Sequence, residues 1–157
     1  VFGNSKSTVY IGAFYEFVLV GAMSFLRLDK NGNWMVSAYA TDPKFNSKDV
    51  LLMIFNQFRG TYDPAKIKAY SDRRWFSENE DIYVNFEFKL TGVKEPDYTY
   101  ISKETPTARI DKSVFRSLKF RDSHNIPYGL SELKSARLLG YSRIWDCGKY
   151  VYEWSRN

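Results

Sequence analysis

Asp72, Arg73, Arg74 and Trp75 stand together directly after Lys66-Ile67-Lys68-Ala69-Tyr70, a run that alternates polar and apolar residues. Guanidinium forks recognise phosphates or guanine edges, and an adjacent indole can stack on a base. The other reading pairs Arg73 and Arg74 with Glu78, Glu80 and Asp81 and sends Trp75 into the core. Downstream, Glu87-Phe88-Lys89 has the acid-x-Lys shape of a Mg²⁺-dependent nuclease strand, with Asp72 or Asp81 as its partner acid. Matches this short arise often by chance, and no metal site is expected. A single histidine, His124, and a single cysteine, Cys147, exclude a His-pair metal centre, a Cys-rich zinc site and an internal disulfide. His124 is expected in a loop without a catalytic role, and Cys147 in a turn.

A second group comprises Arg109, Lys112, Arg116, Lys119 and Arg121, interleaved with Ile110, Val114, Phe115, Leu118 and Phe120. A helix from about residue 112 to 119 would set Lys112, Arg116 and Lys119 along one flank. Such a flank can follow a phosphate backbone, or it can be the solvated face of an ordinary amphipathic helix. The net charge of +5 is unevenly placed: residues 1–105 hold 13 Lys/Arg and 13 Asp/Glu, residues 106–157 hold 10 and 5. A basic sub-region on a neutral body points to a polyanionic partner, of which nucleic acid is the commonest. A solvated basic surface is the alternative.

The elements that position these groups follow from periodicity. At 157 residues the chain fits one domain, with residues 1–105 as the core and 106–157 packed on it. Its 12 Tyr, 12 Phe and 4 Trp supply large apolar groups for that core. The alternation at 66–70 is the period of a strand with one buried face, and a polar loop at such a strand's end is a common place for a site. A helix over 78–86 follows, with Glu78, Glu80 and Asp81 near its positive N-terminus, then a strand over 88–93. Upstream, strands over 9–14 and 17–28 meet at Tyr15-Glu16, and a turn at 30–33 leads to a strand over 34–40. Ser47 caps a helix carrying Val50, Leu51, Ile54, Phe55 and Phe58, which Gly60 ends. A turn at 94–97, a strand over 98–101 and a linker at 104–107 precede the basic helix. A further helix, capped by Ser131 and stopped at Gly140, leads to strands over 141–146 and 149–154 forming a hairpin about Cys147-Gly148. No apolar run approaches the roughly 20 residues a membrane helix needs. No signal peptide is expected, the single thiol points to a reducing compartment, and the start at Val1 reads as a cut from a larger protein.

The order of strand, charged turn, short helix with Tyr83 and following strand, Ile82-Tyr83-Val84-Asn85-Phe86-Glu87-Phe88, resembles the C-terminal half of the GNAT (acetyltransferase-like) fold. Glu87 stands where that family usually has glycine. The resemblance implies an α+β architecture, a mixed sheet flanked by helices, here with a C-terminal helix and β-hairpin appended. Acyl-CoA enzymes of this fold hold the pyrophosphate on a glycine-rich loop at a helix N-terminus. This chain has Lys44-Phe45-Asn46-Ser47-Lys48 there, so no cofactor is expected, although Lys44 and Lys48 could meet a phosphate of DNA. Two narrower resemblances lie inside the first. Tyr-Ser-Asp-Arg-Arg-Trp, Pro96-Asp97-Tyr98-Thr99-Tyr100 and the ending from Gly140 to Trp154, with its Gly-Tyr-x-Arg-Ile and Asp-Cys-Gly, resemble the C-terminal domain of phage homing endonucleases. That likeness implies a non-catalytic targeting domain of a mobile genetic element, bound to double-stranded DNA in the cytoplasm of an infected bacterium. A nuclease domain would precede it in the parent protein. Arg73, Arg74, Trp75, Arg109, Lys112, Arg116, Lys119, Arg121 and Arg143 are then the DNA contacts. The central segment, with Val9 to Tyr15 and Leu19 to Met23, is also similar to the Mom DNA-modification proteins of phages. That likeness implies a nucleobase-modifying transferase, with Tyr83 as an acid and Asp72 orienting an amine. A catalytically inactive GNAT-like module that binds protein is the third expectation.

Overall fold

The computed structural model describes residues 9–77 and 81–156. They divide into two compact units, residues 9–94 with 149–156, and residues 95–148. The boundary differs from the one at 105/106 that the charge asymmetry marks. The strand at Tyr98–Ser102 pairs within the second unit, and the last strand pairs within the first.

Among the described residues, the first unit is built on a six-stranded sheet in the order β1-β2-β3-β4-β8-β5. The hairpin of β1 (Val9–Tyr15) and β2 (Val18–Arg27) turns at Glu16 and Phe17, whose φ values of 46° and 64° are both left-handed. A two-residue turn of that hand matches strand twist, which explains the tight connection without an Asn-Gly signal. β2 pairs on both sides, with β1 and with β3 (Asn33–Thr41), and its middle is buried. Between β2 and β3, Asp29 Oδ1 accepts the N–H groups of Asn31 and Asn33, and Gly32 takes φ +80°.

The helix α1 (Ser47–Tyr62) buries Val50, Leu51, Ile54, Phe55 and Phe58, as its periodicity requires. Its cap is Asn46 rather than Ser47: Asn46 Oδ1 accepts the Lys48 N–H, while the Ser47 hydroxyl meets that of Thr41 at 2.7 Å. The helix also runs past Gly60 and closes at Asp63, whose left-handed backbone donates its N–H to the Arg59 carbonyl. Phe58 stacks on Phe25 at 3.7 Å, and the helix comes so close to β2 that a Cβ on Gly21 would lie 2.4 Å from Val50 Cγ1.

From α1 the chain enters β4 (Lys66–Asp72), parallel to β3 over only Asn33–Met35 with Lys66–Lys68; beyond these residues the two strands no longer pair. A 3₁₀ helix (Ile82–Phe86) follows, capped by Asp81, where a longer helix was expected. Glu78 and Glu80, placed by that expectation in its first turn, lie outside the described residues. β5 (Lys89–Lys94) and β8 (Lys149–Ser155) complete the sheet, with β8 antiparallel to both β4 and β5.

In the second unit β6 (Tyr98–Ser102) and β7 (Tyr141–Trp145) form a two-stranded ladder over a small core of Tyr100, Phe115 and Ala136. The two C-terminal strands are both present about Cys147-Gly148, but their hydrogen bonds divide: β7 goes to β6, and β8 into the six-stranded sheet. The basic segment is not one helix. A 3₁₀ turn (Val114–Arg116) stops at Ser117, whose extended backbone (ψ 124°) caps α2 (Leu118–Ser123). Lys112, Arg116 and Lys119 therefore share no helical flank. The helix α3 (Glu132–Leu138) is capped by Ser131, as expected, and Gly140 follows at φ +78°. Among the described residues no helix is long and apolar enough to cross a membrane.

Candidate nucleic-acid interface

At the carboxyl end of β4 the backbone turns on Asp72, whose Oδ1 accepts the Arg74 N–H at 2.9 Å while its carbonyl accepts the Trp75 N–H at 3.0 Å. This Asx-type turn fixes the loop from inside and leaves its side chains pointing outward. Asp72 Oδ2 pairs with Arg74 Nη2 at 3.1 Å, and the Arg74 guanidinium lies 5.4 Å from the Trp75 ring centre. Trp75 is 70% exposed, so the reading that buries it in the core is set aside. Arg73 sits 5.7 Å from the ring centre of Tyr150, on β8. Tyr150 had no local signal in the sequence; it reaches the loop through the β4–β8 register. The arrangement presents to solvent one indole face and, at Arg73, a guanidinium with no ion pair among the described residues, the chemistry of base stacking and phosphate contact.

The proposed transferase pair is not assembled. Tyr83 is 3% exposed, with ring contacts to Tyr39, Phe88 and Tyr152. Burial, and then the nearby Tyr39 and Asp81, push its phenol well above its ordinary value of 10. In β4 the buried residues are Ile67, Ala69 and Ser71, so alternation puts Asp72 on the face opposite the one against which Tyr83 packs. Asp81 is fully buried and caps the 3₁₀ helix: its Oδ1 takes the Tyr83 N–H at 3.1 Å, while Oδ2 has no hydrogen-bond partner among the described residues.

The loop before α1 does not fit a pyrophosphate. A phosphate at a helix N-terminus needs free backbone N–H groups and no competing anion. Here the Lys44 N–H goes to Asp42 Oδ1 at 2.9 Å, the Phe45 N–H to the Asp42 carbonyl at 3.1 Å, and the Lys48 N–H to Asn46 Oδ1 at 3.1 Å. These three donors are taken, and the Asp42 carboxylate stands in the turn. Glu87, of the acid-x-Lys motif, has a left-handed backbone and pairs with Arg59 at 3.2 Å. No group of three His, Cys, Asp or Glu able to hold a metal occurs among the described residues.

The remaining candidate cations lie in the second unit and separate into three kinds. Arg121 is 9% exposed and donates to the Phe115 and Leu130 carbonyls and to Ser135 Oγ. It is an internal strut, closed to phosphate, which corrects its assignment as a DNA contact. Lys112, Arg116 and Arg143 are exposed in part but engaged. Lys112 holds Asp97 at 2.5 Å and Arg116 holds Glu132 at 2.5 Å, while Arg143 donates to the hydroxyls of Tyr98 and Tyr100. Arg109 and Lys119 are exposed with no ion pair among the described residues. His124 closes α2 with its ring on Phe120, and Cys147 is exposed.

No protein-family model and no curated protein matches the chain. Solved structures do. A crystal structure of aminoglycoside 6'-acetyltransferase type Ii aligns over 93% of this chain and 67% of its own, at 10% identity and a TM-score of 0.53. A GNAT family acetyltransferase from Elizabethkingia anophelis with acetyl-CoA bound aligns over 94% and 75%, at 12% identity and TM-score 0.52. A Bacillus subtilis acetyltransferase in complex with CoA aligns over 94% and 76%, at 9% identity and TM-score 0.52. At these identities the likeness is one of architecture. The chain has the GNAT acetyltransferase fold.

Proposed function

We infer that this chain is a DNA-binding domain on a GNAT-type scaffold, non-catalytic by itself. The carrying observation is the Arg73-Arg74-Trp75 loop, turned on hydrogen bonds to Asp72 and projecting a 70%-exposed indole at the end of a core strand. The net charge of +5 and the exposed Arg109 and Lys119 support a polyanionic partner. The loop before α1, with three of its N–H donors taken and the Asp42 carboxylate in its turn, argues against acyl-CoA chemistry, and the placement of Asp72 and Tyr83 against a Mom-like transfer. The resemblance of Tyr70 to Trp75, of Pro96 to Tyr100 and of the ending from Gly140 to Trp154 to phage homing endonucleases supports a targeting role. This domain would bring a nuclease domain of the parent protein to double-stranded DNA in the cytoplasm of an infected bacterium.

The test is fluorescence anisotropy of a labelled duplex across a salt series. Affinity is expected to fall steeply with salt. Trp75→Ala should cost about 1–3 kcal/mol where the indole stacks on a base, and Arg73→Ala should lower the salt slope by about 1. A second reading, a protein-interaction module, is favoured by the exposed hairpin end, where Phe14, Tyr15, Phe17, Val18 and Leu19 are all more than half exposed. Absence of duplex binding at low salt would leave that reading standing alone.

A further inference from the structure

The register of β4, β8 and β5 gathers cations that are scattered in sequence. On the face turned away from Ile67, Ala69, Ser71, Tyr152 and Trp154, one row reads Asp72–Lys149–Lys94. Two residues along lies Tyr70–Val151–Gly92, then Lys68–Glu153–Lys89, then Lys66 beside Ser155. Rows of one face are about 6.7 Å apart along a strand. This face carries five lysines against two carboxylates, and both carboxylates are engaged: Asp72 by Arg74, Glu153 by Lys66 at 3.2 Å. All five lysines are exposed.

Within the first row Lys94 and Lys149 stand directly opposite each other on antiparallel strands. Like charges so placed repel and cost stability. Lys94 leans over the Tyr70 ring, 4.4 Å from its centre, and Lys149 has no partner among the described residues. An anion between them would turn the repulsion into a clamp. The row also leads straight into the exposed loop, since Arg73 follows Asp72.

We propose that Lys94 and Lys149 clamp a phosphate of bound DNA, and that the lysine face of β4-β8-β5 is the track of one sugar–phosphate backbone running to Trp75. This rests on the DNA-binding reading and extends it to a surface of defined residues. The test uses the full chain and the double substitution Lys94→Gln/Lys149→Gln, with anisotropy on a labelled duplex and thermal unfolding measured side by side. Loss of one phosphate contact lowers the slope of log K against log salt by about 0.9. The same double variant should unfold at a higher temperature, because the cross-strand repulsion is gone. Weaker DNA binding joined to greater stability is a pairing that lost folding cannot produce. Unchanged affinity and slope, with the wild type binding, would overturn the clamp and leave the DNA reading intact. A lowered unfolding midpoint would overturn the repulsion on which the clamp rests. No duplex binding by the wild type would overturn the DNA reading itself. Wild-type binding of poly-glutamate as tight as that of DNA, lost in the double variant, would assign the face to an acidic polypeptide instead.

Discussion

Glu132 gathers more of the second unit than any sequence signal announces. It accepts the Tyr98 hydroxyl at 2.7 Å, the Tyr100 hydroxyl at 3.0 Å and Arg116 Nε at 2.5 Å, and its side chain is 10% exposed. Burial alone would raise its carboxyl, but the hydrogen bonds from Tyr98, Arg116 and Tyr100 outweigh it and hold the group below its ordinary 4.5. A lowered folded-state value means that the stabilisation is whole above pH 4.5 and lost as pH falls through the depressed value. Glu132→Gln should cost about 1.5–3 kcal/mol at neutral pH in urea unfolding. The gap between variant and wild type should close below pH 4.5. Arg121 teaches the same lesson about legibility. In the sequence it stands two residues from Lys119, and nothing local separates a strut from a surface cation. Only the chain folding back to Leu130 and Ser135 decides it.

At the scale of elements, most of the first unit was readable because its signals are local. Alternation marked β4, the apolar stripe marked α1, and the turn at 30–33 separated β2 from β3. What could not be read was partner choice. Two strands flanking Cys147-Gly148 have the composition of a hairpin, yet each finds a more distant ladder, and that choice depends on strands far upstream in the sequence. The break at Ser117 was hidden for a related reason: a serine within a basic amphipathic run serves equally as a helix residue or as a cap. Of the candidate site, the Arg73-Arg74-Trp75 loop was visible, while Tyr150, Lys94 and Lys149 were not, since only register brings them together. Packing of α1 on β2 gives the prediction for this scale. Gly21→Ala places a methyl against Val50 and should destabilise the fold by about 1–3 kcal/mol, read as a lowered unfolding midpoint.

At the scale of the whole molecule, the strand that closes the six-stranded sheet is β8, and it enters between β4 and β5 rather than at an edge. On a ribosome, β8 is the last of these six strands to be made. Until it emerges, β4 and β5 each present an open edge, a template for pairing with other chains. Residues 95–148, whose own ladders and helices are complete among themselves, can order during this wait. Closure of the larger sheet is a long-range, late event, and such steps slow folding and leave intermediates prone to aggregate. A chain ending at Gly148 should therefore lack the cooperative thermal transition of the first unit and aggregate on expression. Supplying residues 149–157 in trans as a peptide should restore part of the soluble fraction in a refolding assay. A truncated chain that melted cooperatively and stayed soluble would show that the first unit forms without β8.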